Sequence, residues 1–530
     1  MSQRFQVAVI GSLLLAAIAG ASEEQAIRVV DRASAVATID LRLHRDAAPD
    51  LENEEVEPPP MPLPDHLPVP AAFARRAAPA PQPLNAFPQL TPATESVSIV
   101  RSFLALNDNN GTVPPDTSGA AGPNHLVVAL NTQIRFQDRS GTELLTTSLR
   151  TFFEGVRNGG RVFDPHVAYD PRTGHWMLCA TTDQRINTTA LPTGSALVLG
   201  VSKTGDPLGS WDLYRYEAPA SVWFDFPQLG FNDSTIAVSL NDYAVSDSKF
   251  VRASVLVINK ANPATGFTLI ESANNGGGLA PVISFDAGSA MYLVQRWNGN
   301  SAGTGYVRLY SLSQSGITPI AFISTPTPWM SSGAAGDDFA PQAGLAQKIS
   351  AGDDRILSPV LRNGSIWAVQ TIFVPVEAPA RAATQWWQIS PTGALLQHGV
   401  VEDPSGAFFY AFPSIAVNVR NAVVISGTRF SATTFPSAFF VYGQAGNIAT
   451  TTPAPVIYKA GEAAYAKVFS TSNRWGDYST ACVDPLNDTD FWTIQEYSAT
   501  PSGGFDRWGT WWVQIRSSDD SANRRRAVKH

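Results

Sequence analysis

One pattern recurs seven times along this chain. A short punctuation, usually ending in Pro, precedes a β-rich run, and a turn leads to a second such run. Asp116 and Gly122-Pro123 lead into His125–Leu130. Phe163-Asp164-Pro165 leads into Val167–Tyr169 and His175–Cys179. Asp225-Phe226-Pro227 leads into Leu229–Phe231 and Ser234–Leu240, and Ala280-Pro281 leads into Val282–Phe285 and Ala290–Val294. Phe339-Ala340-Pro341 leads to Arg355–Leu357 and Ser365–Val369, and Phe412-Pro413 to Ile415–Val417 and Ala422–Ser426. Asp477-Tyr478 leads into Ala481–Val483 and Phe491–Ile494. The starts advance by about 60 residues per step, shorter than the ~100 of an immunoglobulin-like sandwich. A four-stranded propeller blade recurs at ~40–50 residues, and longer loops stretch it to this value.

The spacing therefore predicts an all-β, seven-bladed β-propeller over residues 96–516. Blades have little stability alone, so neighbours must pack radially and the ring must be closed. The strand-like Val97–Phe103 is the candidate outer strand of the last blade, which would join the ends. Composition agrees. Only 15% of residues are charged, against ~25% in an average soluble protein. The 40 Gly and 39 Pro supply turns, and most of the 13 Trp are expected between blades. A net charge of −8 argues against nucleic acid as a partner, since phosphate binding needs a basic surface.

Outside the repeats the chain changes character. Arg4 precedes an uncharged run from Phe5 to Ser22 that ends in Ala19-Gly20-Ala21. This is the order of a cleaved secretory signal, so residues 1–21 are read as a signal peptide and the protein as secreted or periplasmic. No later segment has the apolar length of a membrane span. Residues 22–95 carry an acidic cluster, Glu52–Glu57, and a Pro/Ala stretch from Pro58 to Pro92. They read as a propeptide or linker, with a marginal strand or helix over Gln25–Arg45 and packed structure from near Val97. Residues 517–530 form a polar tail. Cys179 and Cys482 fit no metal spacing, leaving one disulfide or two buried thiols.

Two segments carry a resemblance. Leu106–His125 contains Pro114-Pro115-Asp116-Thr117 and Gly122-Pro123-Asn124-His125. Arg474–Tyr497 contains Trp475-Gly476-Asp477-Tyr478, Asp484-Pro485, Phe491-Trp492 and Glu496-Tyr497. They resemble the opening and closing segments of a largely uncharacterised group of secreted bacterial propellers. That resemblance implies a fold and export, with no chemistry attached. A looser likeness is to the Asp-box, sialidase-like propellers: Thr204-Gly-Asp206-Pro-Leu-Gly209-Ser-Trp211 has one residue too many before the glycine. In such loops the Asp caps the turn and the Trp packs into the blade.

Propeller ligands bind where one loop per blade converges on the axis. Asp116, Asp164, Asp225, Asp338 and Asp477 stand at blade starts, and His166 follows Asp164-Pro165, making these six the candidate ligand-binding residues. The Asp side chains either cap turns or gather around the axis. Gathered carboxylates raise one another's pKa or take up a cation, and Ca²⁺ is the cation they suit. No cofactor is required. Asp108, Asn110 and Asp116 are the metal candidates, although Asp108–Thr112 lacks the glycine and closing Glu of an EF-hand. Catalytic candidates are Asp164, Asp225, Asp477, Arg296, Arg429, Arg474, Glu496 and Tyr497. Three Arg on different blades could grip a carboxylate, but Glu496 and Tyr497 are neighbours on a strand and should face opposite ways.

The reading is a monomeric extracellular propeller that binds a glycan, peptide or surface protein at the channel mouth, with no nucleic acid and no membrane partner. The alternative is a glycan-directed hydrolase using channel carboxylates. A third is an interaction scaffold with an apolar rim.

Overall fold

The computed structural model describes residues 25–30, 33, 35–44, 55–56, 97–185, 191–272, 276–333, 338–444, 455–469 and 472–517. The proposed signal peptide, the Pro58–Pro92 stretch and all of the 517–530 tail except Ser517 lie outside them. Seven antiparallel sheets follow one another along the chain. Their innermost strands are Ser118–Ala121, Arg161–Asp170, Val222–Phe231, Leu279–Pro281, Ile356–Arg362, Phe409–Val417 and Thr480–Val483. These strands touch in that cyclic order, and the last touches the first. The molecule is a closed seven-bladed β-propeller, numbered here as blades 1 to 7 from the Ser118–Ala121 sheet.

Neighbouring blades pack on one another through apolar cores. Val127, Phe136 and Leu178 pack blade 1 on blade 2, together with Trp176 and Trp211. Leu199, Phe231 and Val238 do so for blades 2 and 3. Val369, Trp367 and Ile425 join blades 5 and 6, and Val424, Phe440 and Val513 join blades 6 and 7. Because both faces of a blade are covered, a middle strand cannot alternate polar with apolar. Ser365–Val374 of blade 5 is buried at every position, which explains its nearly continuous apolar sequence.

The ring closes as the sequence predicts. Val97–Asn107 pairs antiparallel with Phe505–Ser517, so the N-terminal side of the domain completes blade 7. Trp492 and Trp512 pack there edge to face with ring centroids 6.1 Å apart, against Leu126 and Val128 of blade 1.

Three features differ from the sequence reading. Packed structure begins before Val97: Gln25–Val30 adds a fifth, outermost strand to blade 3, and Ala35–Asp40 does the same for blade 2. Ile39 and Leu41 are buried in the blade 1–2 core, a burial an extended linker would not have. Second, Ile283-Ser284 leaves blade 4 and pairs in parallel with Val360-Leu361 of blade 5. Third, Asp338–Ala340 does not open blade 5. It forms a separate hairpin with Ile349-Ser350. Cys179 and Cys482 are separate free thiols.

Candidate functional site

Six blades bring a non-glycine residue in left-handed conformation to the head of the innermost strand: Asp116 (φ 51°), Asp164 (54°), Phe226 (51°), Ser358 (41°), Phe412 (53°) and Asp477 (62°). Pro follows in four of them, and there the pairing slips at a bulge, between Phe163 and His166, Asp225 and Gln228, Leu357 and Val360, and Ala411 and Ser414. Proline has no N–H for the ladder, so a bulge is where a strand tolerates it. Left-handed geometry is least costly for Asp and a real strain for Phe. Strain of this kind gathers where it aims side chains, and here it aims them at the axis.

The equivalence of the five Asp is thereby corrected. Asp116, Asp164 and Asp477 share one position. In blade 3 that position is Phe226, and Asp225 stands one residue earlier. In blade 5 it is Ser358. Asp338 stands outside the cluster: its carboxylate accepts from the Asn473 N–H and Ser472 hydroxyl, at 2.8 and 3.0 Å, and caps a loop.

The remaining carboxyls do converge. The Asn131 amide donates to Asp116 Oδ2 at 2.8 Å while its oxygen accepts from the Asp164 N–H at 2.7 Å. Asp164 Oδ2 accepts from the Phe226 N–H at 3.1 Å. Burial raises the Asp164 carboxyl above the usual range, although the neighbouring Asp116 side chain, the Phe226 N–H and Arg161 oppose it. Asp225 is pushed up to about 7, first by burial and then by the Asp164 charge, with Arg355 and Arg161 opposing. Burial likewise raises Asp477, against the pull of Arg474.

Three arginines balance this cluster. Arg161 grips Asp183 with two bonds, 2.9 and 3.0 Å. Arg355 Nε lies 2.9 Å from Asp353, and its guanidinium stacks 4.0 Å from the Phe226 ring centroid. Arg474 reaches Asp477 at 2.8 Å. Asp225, Asp353 and Asp477 keep partial exposure, whereas Asp116 and Asp164 are buried beneath them. A small pocket opens here, lined by Phe226, Asp353, Arg355, Thr371, Phe412 and Asp477. Gly476 and Gly352 seat the Phe412 ring: a Cβ would come within 2.3 and 2.9 Å of it, and both have positive φ. Phe226, Leu357 and Tyr478 close the floor as one apolar cluster, and the His166 ring meets Tyr478 edge on at 4.4 Å.

The other candidates are engaged elsewhere. Arg296 pairs with buried Asp354, which also accepts from Trp329 Nε1 at 2.8 Å. The Arg429 guanidinium lies over Phe408 at 4.6 Å. With Arg474 on Asp477, each arginine of the expected carboxylate-binding trio is committed to its own neighbour. Glu496 is buried and accepts from the Gly476 N–H at 2.9 Å. Burial raises its carboxyl well above the usual range, opposed by that bond and reinforced by Asp108 and Asp477. Tyr497 points away, against Trp511 and Lys459, as strand alternation demands. At Asp108 the Lys467 ammonium takes the place read as a cation loop, 2.5 Å from Asp108 Oδ2 and 2.9 Å from Asn110 Oδ1. Among the described residues no group of three or more His, Cys, Asp or Glu is arranged to hold a metal. Asp206 caps its turn through the Leu208 N–H at 3.0 Å, and buried Trp211 donates to the Pro207 carbonyl at 2.8 Å, the structural role read for that loop.

Sequence reasoning missed Arg161, Asp183, Asn131, Asp353 and Arg355. Aligning the repeats on the proline of Asp164-Pro165, Phe226-Pro227, Ser358-Pro359 and Phe412-Pro413, instead of on Asp, would have placed blade 5 correctly and put Asp353 and Arg355 at the axis.

No protein-family model matches the chain, and no curated protein does. Solved structures similar to it include a protein of unknown function from Dyadobacter fermentans, with 11% identity over 68% of this chain and 96% of that one and a TM-score of 0.37. The phage phi92 endosialidase has 8% identity over 80% and 69%, with a TM-score of 0.37. The N11 neuraminidase-like protein of a flat-faced bat influenza virus has 10% identity over 66% and 87%, with a TM-score of 0.33.

Proposed function

We propose that this chain is an exported ligand-binding propeller, and that its axial mouth holds a small neutral polyhydroxyl group such as the terminal sugar of a glycan. The pocket lining carries this reading: apolar Phe226 and Phe412 faces stand beside Asp353, Asp477 and Arg355. Carboxylates accept hydroxyl protons, a guanidinium donates to ring and hydroxyl oxygens, and aromatic faces cover the C–H side of a sugar. Carboxyls already paired with arginine add little net charge, so a neutral ligand suits the site better than an anion. The test is the thermal midpoint of the protein against a panel of soluble glycans, because native-state binding raises it. A midpoint rise with particular sugars, lost in Asp477→Asn and Asp353→Asn, is expected. No rise across the panel in a folded protein refutes it.

One observation favours a second reading, hydrolysis. Asp225 keeps its proton to about pH 7, the requirement for a carboxyl general acid at neutral pH, and Asp477 is among the charges acting on it. That reading expects release of a chromogenic leaving group from aryl glycosides, falling above pH 7 and abolished in Asp225→Asn.

A further inference from the structure

Below the aromatic floor the channel widens again. The same innermost strands that pass the charged mouth continue into a second cavity. Its walls include Val167, Leu229, Phe231, Ile283, Phe285 and Ala481. Phe231 and Phe285 stand edge to face, 6.3 Å apart. No Asp, Glu, Lys or Arg lines it. The nearby charges are tied into bonds away from it, such as Lys260 with Asp170 at 2.6 Å and Arg172 with the Ser284 carbonyl at 3.2 Å. A charged ligand would lose its hydration there without compensation.

His166 is the one titratable imidazole in this lining. It is 9% exposed, and its Nε2 is buried with no hydrogen-bond partner. Burial holds its pKa down to about 4, so the ring is neutral at pH 7. A neutral imidazole carries a lone pair on one of its two nitrogens, and in the tautomer protonated at Nδ1 that nitrogen is the unpartnered Nε2. Two of the other polar walls already serve the backbone: Ser118 Oγ accepts from the Val167 N–H at 3.0 Å, and Thr480 Oγ1 from the Gly119 N–H at 3.1 Å. An unpaired buried acceptor costs free energy until a donor meets it. The cavity therefore offers aromatic and aliphatic walls, no charged side chain, and an unpartnered ring nitrogen at His166.

We propose that this far end of the channel is a separate binding site for a small neutral aromatic alcohol of the phenol class, its hydroxyl donating to His166 Nε2. The site is independent of the sugar reading at the mouth, from which Phe226, Leu357 and Tyr478 divide it. The probes are phenol and anisole, which match in shape and differ in the O–H. Titration of the full chain, followed by the ¹⁵N resonances of its histidines, is expected to show saturable phenol binding that shifts the Nε2 signal of His166. Anisole should bind about tenfold more weakly, the worth of one buried hydrogen bond, and leave that signal in place. Ala481→Phe should abolish both by filling the cavity; Ala416→Leu serves if that variant does not fold. Asp477→Asn should leave phenol binding intact. Equal affinity for the two probes, phenol binding that survives the filled cavity, or an Nε2 signal unmoved at saturation would overturn the proposal, as would no saturable binding.

Discussion

At one end of the axis the blades hold Asp116, Asp164, Phe226, Phe412 and Asp477 in left-handed conformation, within the innermost strand or just ahead of it. Three or four residues further along, the same strands present Ala120, Val167, Leu229, Ala416 and Ala481 to a cavity without charged walls. One repeated strand thus yields two unlike chambers. The bulged end is where pairing is already interrupted, so carboxyls can sit there with Asn131 bonded to Asp116, Arg474 to Asp477 and Arg355 to Asp353. The regular stretch beyond keeps its ladder. Its axial side chains are confined by neighbouring blades to small or apolar residues. Polar chemistry in this propeller gathers where the strand geometry breaks.

The sharpest way to break the contrast is to remove the partition. Tyr478→Ala takes a buried ring from between Phe226 and His166, and should lower unfolding free energy by about 3–5 kcal/mol, read by denaturant titration. It should also join the chambers, so that phenol and a mouth-directed ligand compete. Next is the pH dependence. The folded-state pKa of Asp225 lies near 7, above the ~3.9 of an unfolded Asp. The native state therefore holds more protons between those values, and stability falls as pH rises through that window. Asp225→Asn should flatten this fall, by up to about 4 kcal/mol between pH 4 and pH 8. The far chamber should act in the opposite sense. His166 is held down to about 4, below the ~6.5 of an unfolded His. The unfolded state therefore holds more protons between those values, and this group's contribution rises with pH.

Asn131→Ala probes the mouth more gently. It strands the Asp116 carboxyl and the Asp164 N–H, and a loss of about 2–3 kcal/mol is expected from two broken buried bonds, again by denaturant titration. The smallest effect belongs to Asp338→Asn. Its carboxylate caps a loop away from the axis, so stability should drop by about 1 kcal/mol and ligand responses at both ends should stay unchanged. A lost ligand response in that variant would restore Asp338 to the site.

Much of the architecture was legible because each blade must repeat the same burial. The seven starts and the closing strand Val97–Phe103 follow from periodicity and the need to close a ring. The site was legible only in part. Asp116, Asp164, Asp225 and Asp477 stood out as acids beside turn signals, but Asp338 had the same local appearance and no axial position. Arg161, Asp183 and Arg355 join the cluster through cross-strand and cross-blade geometry, which local sequence does not display. The N-terminal segment was legible only as a marginal strand or helix over Gln25–Arg45. Its two strands, Gln25–Val30 and Ala35–Asp40, pair with the outer edges of blades 3 and 2, partners far along the chain that lie beyond a local reading.

The most direct measurement is a carboxyl ¹³C NMR titration of the Asp-labelled protein, with Asp225→Asn to assign the resonance. One Asp carboxyl titrating near pH 7, and missing from the variant, is the expected result of crowded carboxyls at the channel mouth. A midpoint near 4 for Asp225 would contradict it, leaving an ordinary solvated carboxylate where a buried acidic cluster is described.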